Sequence, residues 1–73
     1  MKVGIAGTGK IVREFLNMQK DQERIEVTAL VCRPQSEKTG RELVEQYGIP
    51  VLYTDYETFL KEAEMDAVYL GIV

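Results

Sequence analysis

Two glycines in Gly7-Thr8-Gly9 close the apolar run Val3-Gly4-Ile5-Ala6 and open a helix-patterned segment at Lys10. A strand that turns through glycine straight into a helix belongs to a parallel βαβ unit, which constrains the fold more than any other feature of the chain. The junction also constrains the chemistry. Bare backbone lets a pyrophosphate approach, and the N–H groups of the first helical turn have no partner inside the helix, so they attract negative charge. Dinucleotide binding is the expectation. The competing reading is a structural turn that needs glycine only for its backbone angles.

The rest of the pattern continues the same unit. Val3 to Ala6 is continuously apolar, as a strand covered on both faces should be, and Gly4 within it invites a close neighbour. From Lys10 to about Gln19, Ile11, Val12, Phe15 and Leu16 share one helical face and Lys10, Arg13, Glu14 and Asn17 the other. The polar stretch Lys20-Asp21-Gln22-Glu23-Arg24 ends that helix. Val27 to Val31 predicts a second strand closed by Pro34, with Ser36 as the N-cap of the next helix. Gly40, Leu43, Val44 and Tyr47 give that helix its face, Gly48 its left-handed stop, and Pro50 blocks continuation. Val51-Leu52-Tyr53 is a short third strand. Thr54 with Glu57 has capping-box spacing, and Tyr56, Phe59, Leu60 and Ala63 repeat a helical face. Asp66 precedes a last strand, Ala67 to Ile72.

The order β-α-β-α-β-α-β implies an α/β fold with a doubly wound, Rossmann-like parallel sheet of strand order 3-2-1-4. Right-handed crossovers put the first two helices on one face and the third on the other. One helix would then cover four strands on that second face, and no element follows Gly71-Ile72-Val73. Residues 1–73 therefore read as the N-terminal part of a dinucleotide-binding domain within a larger two-domain protein, the remaining strands and a C-terminal substrate domain being absent.

Composition narrows the partners. With 45% hydrophobic and 29% charged residues, the 73-residue chain is a globular domain and not a disordered segment. Its net charge of −3 argues against a nucleic-acid partner. No apolar run approaches the roughly 18 residues of a membrane span, so no membrane partner is expected. Met1 leads directly into a strand, which suggests a start without a leader. A lone Cys32 makes no internal disulfide, which points to the cytoplasm. With no histidine and no acidic cluster of ligand spacing, no metal site is expected; Cys32 has no base beside it and is not a candidate nucleophile. No catalytic residue is assigned within the chain.

The nucleotide fingerprint needs three small residues: one for the tight turn, one for approach to the pyrophosphate, one for packing helix on strand. Gly7 and Gly9 fill the first two places. Val12 takes the third, which predicts a slightly more distant first helix. At the end of the second strand, where an acid would bind the ribose of NAD, the chain has Val31-Cys32-Arg33. Arginine attracts a 2′-phosphate that a carboxylate would repel, and Cys32 is small and neutral. NADP is therefore favoured over NAD, with Arg33 also able to stack on adenine and Lys38 able to add a second charge. In the bland reading both are surface residues. Tyr47, Tyr53, Tyr56 and Tyr69 read as helix-face, strand and core residues.

Several segments in order resemble the Gfo/Idh/MocA oxidoreductases. Val3-Gly4-Ile5-Ala6-Gly7-Thr8-Gly9-Lys10-Ile11 is similar to that family's opening, and Ala29-Leu30-Val31-Cys32-Arg33 to its second strand. Glu45-Gln46-Tyr47-Gly48-Ile49-Pro50, the run Tyr53 to Leu60, and Met65-Asp66-Ala67-Val68-Tyr69-Leu70 are similar to its later segments. The resemblance implies hydride transfer between a nicotinamide cofactor and a sugar, polyol or related hydroxyl-bearing substrate, by a full-length homo-oligomer. It implies that Gly7, Thr8, Gly9, Lys10 and Ile11 surround the pyrophosphate and that Cys32, Arg33 and Lys38 surround the adenosine ribose or its phosphate. Gly71, Ile72 and Val73, which replace a more usual Ala-Thr/Ser-Pro ending, would approach the cofactor where the strand order reverses. The family's catalytic lysine would lie beyond Val73. The alternatives are a non-catalytic nucleotide-binding sensor and a Rossmann reductase of another family, such as one of amino-acid biosynthesis.

Overall fold

The computed structural model describes residues 1–19 and 24–71. In chain order these form β1 (Lys2–Ala6), α1 (Lys10–Gln19), β2 (Glu26–Val31), a 3-10 turn (Pro34–Ser36), α2 (Glu37–Tyr47), β3 (Val51–Tyr53), α3 (Tyr56–Glu62) and β4 (Ala67–Leu70). All strand pairs are parallel, in the order β3-β2-β1-β4 predicted from the sequence. Residues 20–23 of the polar stretch after α1, and Ile72 with Val73, lie outside the described residues.

Alternation along β1 divides the core in two. Val3 and Ile5 face Val12 and Leu16 of α1 and Leu43 of α2. On the other face Ala6, with Ala29 and Val31 of β2, packs on Phe59 of α3. Gly4 is bare for this contact, since a Cβ there would lie 2.7 Å from Phe59 Cζ and collide with Met65. Phe59 is fully buried, and burial of a side chain of that size stabilises the fold by about 1.5–3 kcal/mol. The two helices on one face and the single helix on the other follow from right-handed crossovers in a doubly wound sheet.

The β1–β2 register shifts between Val3 and Gly4: Val3 pairs with Val27, but Gly4 pairs with Ala29. The extra residue, Thr28, donates its hydroxyl to the Glu64 carbonyl at 2.6 Å. This bulge lets Val27 and Leu30, three apart, both pack in the α1–α2 half of the core, where strict alternation would separate them. β4 pairs with β1 alone among the described residues, and its Leu70 is 60% exposed.

Gly48 ends α2 in the left-handed conformation, φ 67°. Two other expected caps are placed differently. Ser36 precedes α2, but its side chain makes no capping bond: the Glu37 N–H already donates to the Pro34 carbonyl, so the 3-10 turn runs into the helix. At α3 the N-cap is Asp55 and not Thr54. Its carboxylate accepts from the Thr58 N–H at 3.0 Å and the Thr58 hydroxyl at 2.6 Å. The second bond draws the Asp55 carboxyl below its ordinary value of 3.8, the backbone bond adding to it.

Candidate functional site

The carboxyl ends of β1, β2 and β3 open onto one cleft of about 560 Å³. In an open parallel α/β sheet, ligands bind at that end, where the strand order reverses. Here the reversal lies at β1, between β2 and β4.

The turn after β1 forms one wall. Gly7 has φ 119°, a conformation that side chains oppose, and its N–H donates to the Val31 carbonyl at 2.9 Å. Gly7 is therefore a structural glycine whose amide is spent. The next backbone donor engaged along the chain is Arg13, to the Gly9 carbonyl at 3.1 Å. Among the described residues, the amides of Thr8 to Val12 donate to no backbone carbonyl, as the first turn of a helix dictates. Gly9 has neither a positive φ nor any atom within 4 Å of where its Cβ would stand. Among the described residues, nothing requires glycine there.

The electrostatics suit an anion. α2 and α3 each carry a glutamate in the first turn, Glu37 and Glu57; α1 carries no acid there. Its N-terminal partial charge is thus left to attract something else. Lys10 lies 4.0 Å from Glu14 one turn on, both exposed. Arg33 leaves β2 with extended backbone; among the described residues it makes no ion pair and is the one charged side chain lining the cleft. Among the described residues no carboxylate lines it. The nearby Glu37 is held by Arg41 at 2.8 Å.

Of the residues singled out in the sequence, Gly7, Thr8, Gly9, Cys32, Arg33 and Gly71 line the cleft. Lys10, Ile11 and Lys38 are exposed outside its lining. Cys32 contributes little but its backbone edge: its N–H donates to the Tyr53 carbonyl at 3.0 Å, while Sγ lies 2.9 Å from where a Cβ on Gly40 would stand. Burial, with a smaller contribution from Glu37, pushes the thiol pKa up, so the group is a protonated packing residue. Thr54 and Tyr56, which the sequence pattern reads as a cap and a helix-face residue, also line the cleft. The signal for them is the strand order: β3 beside β2 carries its following residues to the same edge.

Comparison with known proteins agrees with this architecture. The Gfo/Idh/MocA family model, described as "Oxidoreductase family, NAD-binding Rossmann fold", matches residues 1–73. No curated protein matches the chain. Two crystal structures of apo scyllo-inositol dehydrogenase from Lactobacillus casei share its fold. The one determined at 77 K superposes with a TM-score of 0.86 at 16% identity, the other with 0.82 at 17%. Both matches cover 100% of this chain and 21% of theirs, so the chain spans about a fifth of those proteins' length.

Proposed function

The chain belongs to the Gfo/Idh/MocA family of oxidoreductases, and from that membership we propose that its cleft holds the adenosine diphosphate half of a nicotinamide dinucleotide. In the whole protein the site would serve hydride transfer to or from a sugar, polyol or related hydroxyl-bearing substrate. The name of the structural neighbours supports that substrate class.

The observation that carries the reading is Gly9, a glycine that neither conformation nor packing requires. A side chain there would meet only what enters from outside, and the unpartnered amides beside it suit a diphosphate. Thr8, Gly9, Lys10 and Ile11 would receive the diphosphate on their N–H groups. Arg33 would meet a ribose 2′-phosphate beside Cys32, with Lys38 as an outer charge, so NADP is preferred to NAD. Gly71, which lines the cleft, would approach the inner half of the cofactor. When bound, the nicotinamide supplies the hydride donor or acceptor; these residues bind and orient it. None of them is given a proton-transfer role, which falls to the remainder of a cytoplasmic, homo-oligomeric enzyme.

Titration of the whole protein with NADPH and NADH tests the reading, together with a crystal of the coenzyme complex. The diphosphate is expected against Thr8 to Ile11. A bound coenzyme whose diphosphate lies elsewhere overturns the assignment.

A further inference from the structure

Tyr56 has no part in the reading above, yet its position is closely determined. Val31 of β2 pairs with Tyr53 of β3, and the Cys32 N–H bonds to the Tyr53 carbonyl at 3.0 Å. The two strands therefore release Arg33 and Tyr56 at the same edge, and both line the cleft. Tyr56 is the first residue of α3, a start held by the two bonds from Thr58 to the Asp55 carboxylate. Its ring lies 5.9 Å from that of Phe59, tilted 32°, and Phe59 is in turn braced edge-on by Tyr53 at 5.9 Å. Phe59 is fully buried, whereas Tyr56 is 43% exposed. An aromatic ring beside a buried ring, and exposed at the cleft, offers a flat surface.

The surrounding lining also offers apolar surface to a flat occupant. Ala6 and Val31 supply small apolar surface on the α3 face of the sheet, and among the described residues no carboxylate lines the cleft to hold a cation. We propose that Tyr56 is the stacking surface for the purine base of the dinucleotide, and that it binds the base through the face of its ring. This rests on the dinucleotide reading. It adds a residue that selects for an aromatic base, where the glycine turn selects only for phosphate.

The test compares the whole protein with Tyr56→Phe and Tyr56→Leu, by titration with NADPH and with 1,N6-etheno-ADP, whose emission falls when its base stacks on an aromatic ring. Leucine keeps apolar bulk against Phe59 and removes the flat face. Tyr56→Leu is expected to weaken NADPH about 10-fold and to abolish the emission change, while Tyr56→Phe stays within about two-fold. Thermal unfolding and binding of inorganic pyrophosphate, which has no base, should be alike in all three. Leucine binding as well as phenylalanine overturns the proposal, as does an equal loss of pyrophosphate affinity. Wild-type protein that binds no nucleotide would remove the dinucleotide reading as well; wild type that binds with no change in emission removes only the role of Tyr56.

Discussion

Val12 Cγ2 stands where a side chain on Gly71 would have to go. Val12 is fully buried, and the same methyl lies 3.4 Å from where a Cβ on Gly7 would be. In the nucleotide fingerprint this helix position is normally glycine or alanine, so that α1 can approach the sheet. The sequence alone suggests that valine holds the helix off. In the structure the bare backbone that follows β4 also makes room for that methyl, and the Gly71 N–H reaches the Ala6 carbonyl at 2.9 Å.

Gly71→Ala should therefore destabilise the chain by roughly 1–3 kcal/mol through overpacking against Val12. Val12→Ala costs stability by itself through the cavity it leaves, yet should relieve part of the Gly71→Ala penalty. Urea unfolding of both single variants and the double variant is expected to give a coupling above about 0.5 kcal/mol; additive effects would show that the two residues do not share one space.

Strand order and helix placement were legible because each strand is a short apolar run and each crossover has one allowed hand. The turn was legible for the same reason: Gly7 and Gly9 sit at a strand–helix junction, where few other structures fit. What the sequence hid were choices between adjacent residues. Thr54 and Asp55 are both cap-competent, and the chain settles on Asp55 because its carboxylate takes two bonds from Thr58. Ser36 lost its role to a 3-10 turn begun by Pro34, which local spacing does not reveal. Tyr56 reads as a core position by helical period, and only the β2–β3 register shows that it faces the cleft. The bulge at Thr28 was invisible because a single threonine among Val27, Ala29, Leu30 and Val31 also fits an unbroken strand.

The two glycines of the turn should separate cleanly on substitution. Gly7→Ala forces a side chain to φ 119°, 3.0 Å from the Gly71 carbonyl oxygen, and should cost roughly 1–3 kcal/mol of folding stability. Gly9→Ala meets nothing among the described residues, so its unfolding midpoint should match wild type within about 0.5 kcal/mol. Coenzyme titration should nevertheless show Gly9→Ala weakened about 10-fold or more, because the added methyl occupies the approach to the amides. Unchanged affinity in Gly9→Ala would mean that no ligand comes near this backbone.

Arg33→Ala bears on the choice of cofactor. Loss of charge-assisted bonds to a 2′-phosphate should weaken NADPH about 10-fold or more and NADH far less. The wild-type preference for NADPH should also shrink as salt rises, since the arginine is exposed and screened. Titrations of both coenzymes at two ionic strengths measure this. Equal losses for NADPH and NADH would leave Arg33 as a general cation at the rim, with no part in reading the 2′ position.

Asp55 makes a prediction about pH that separates it from its neighbour. Its carboxyl is held below the ordinary 3.8 because Thr58 donates to the ionised form with both its hydroxyl and its N–H. A group whose pKa is lowered by folding stabilises the native state above its unfolded value and loses that contribution as pH falls through the folded value. The cap should thus be fully effective above about pH 4 and fade below it. Asp55→Ala is expected to lower Tm at neutral pH, with the gap from wild type narrowing as the pH is taken to about 2.5. Thr54→Val should leave the midpoint unchanged across the same range, since the Thr54 hydroxyl does not cap α3. A Thr54→Val variant that loses as much as Asp55→Ala, or an Asp55→Ala gap that stays constant with pH, would mean that the helix start rests on something other than the Asp55 carboxylate.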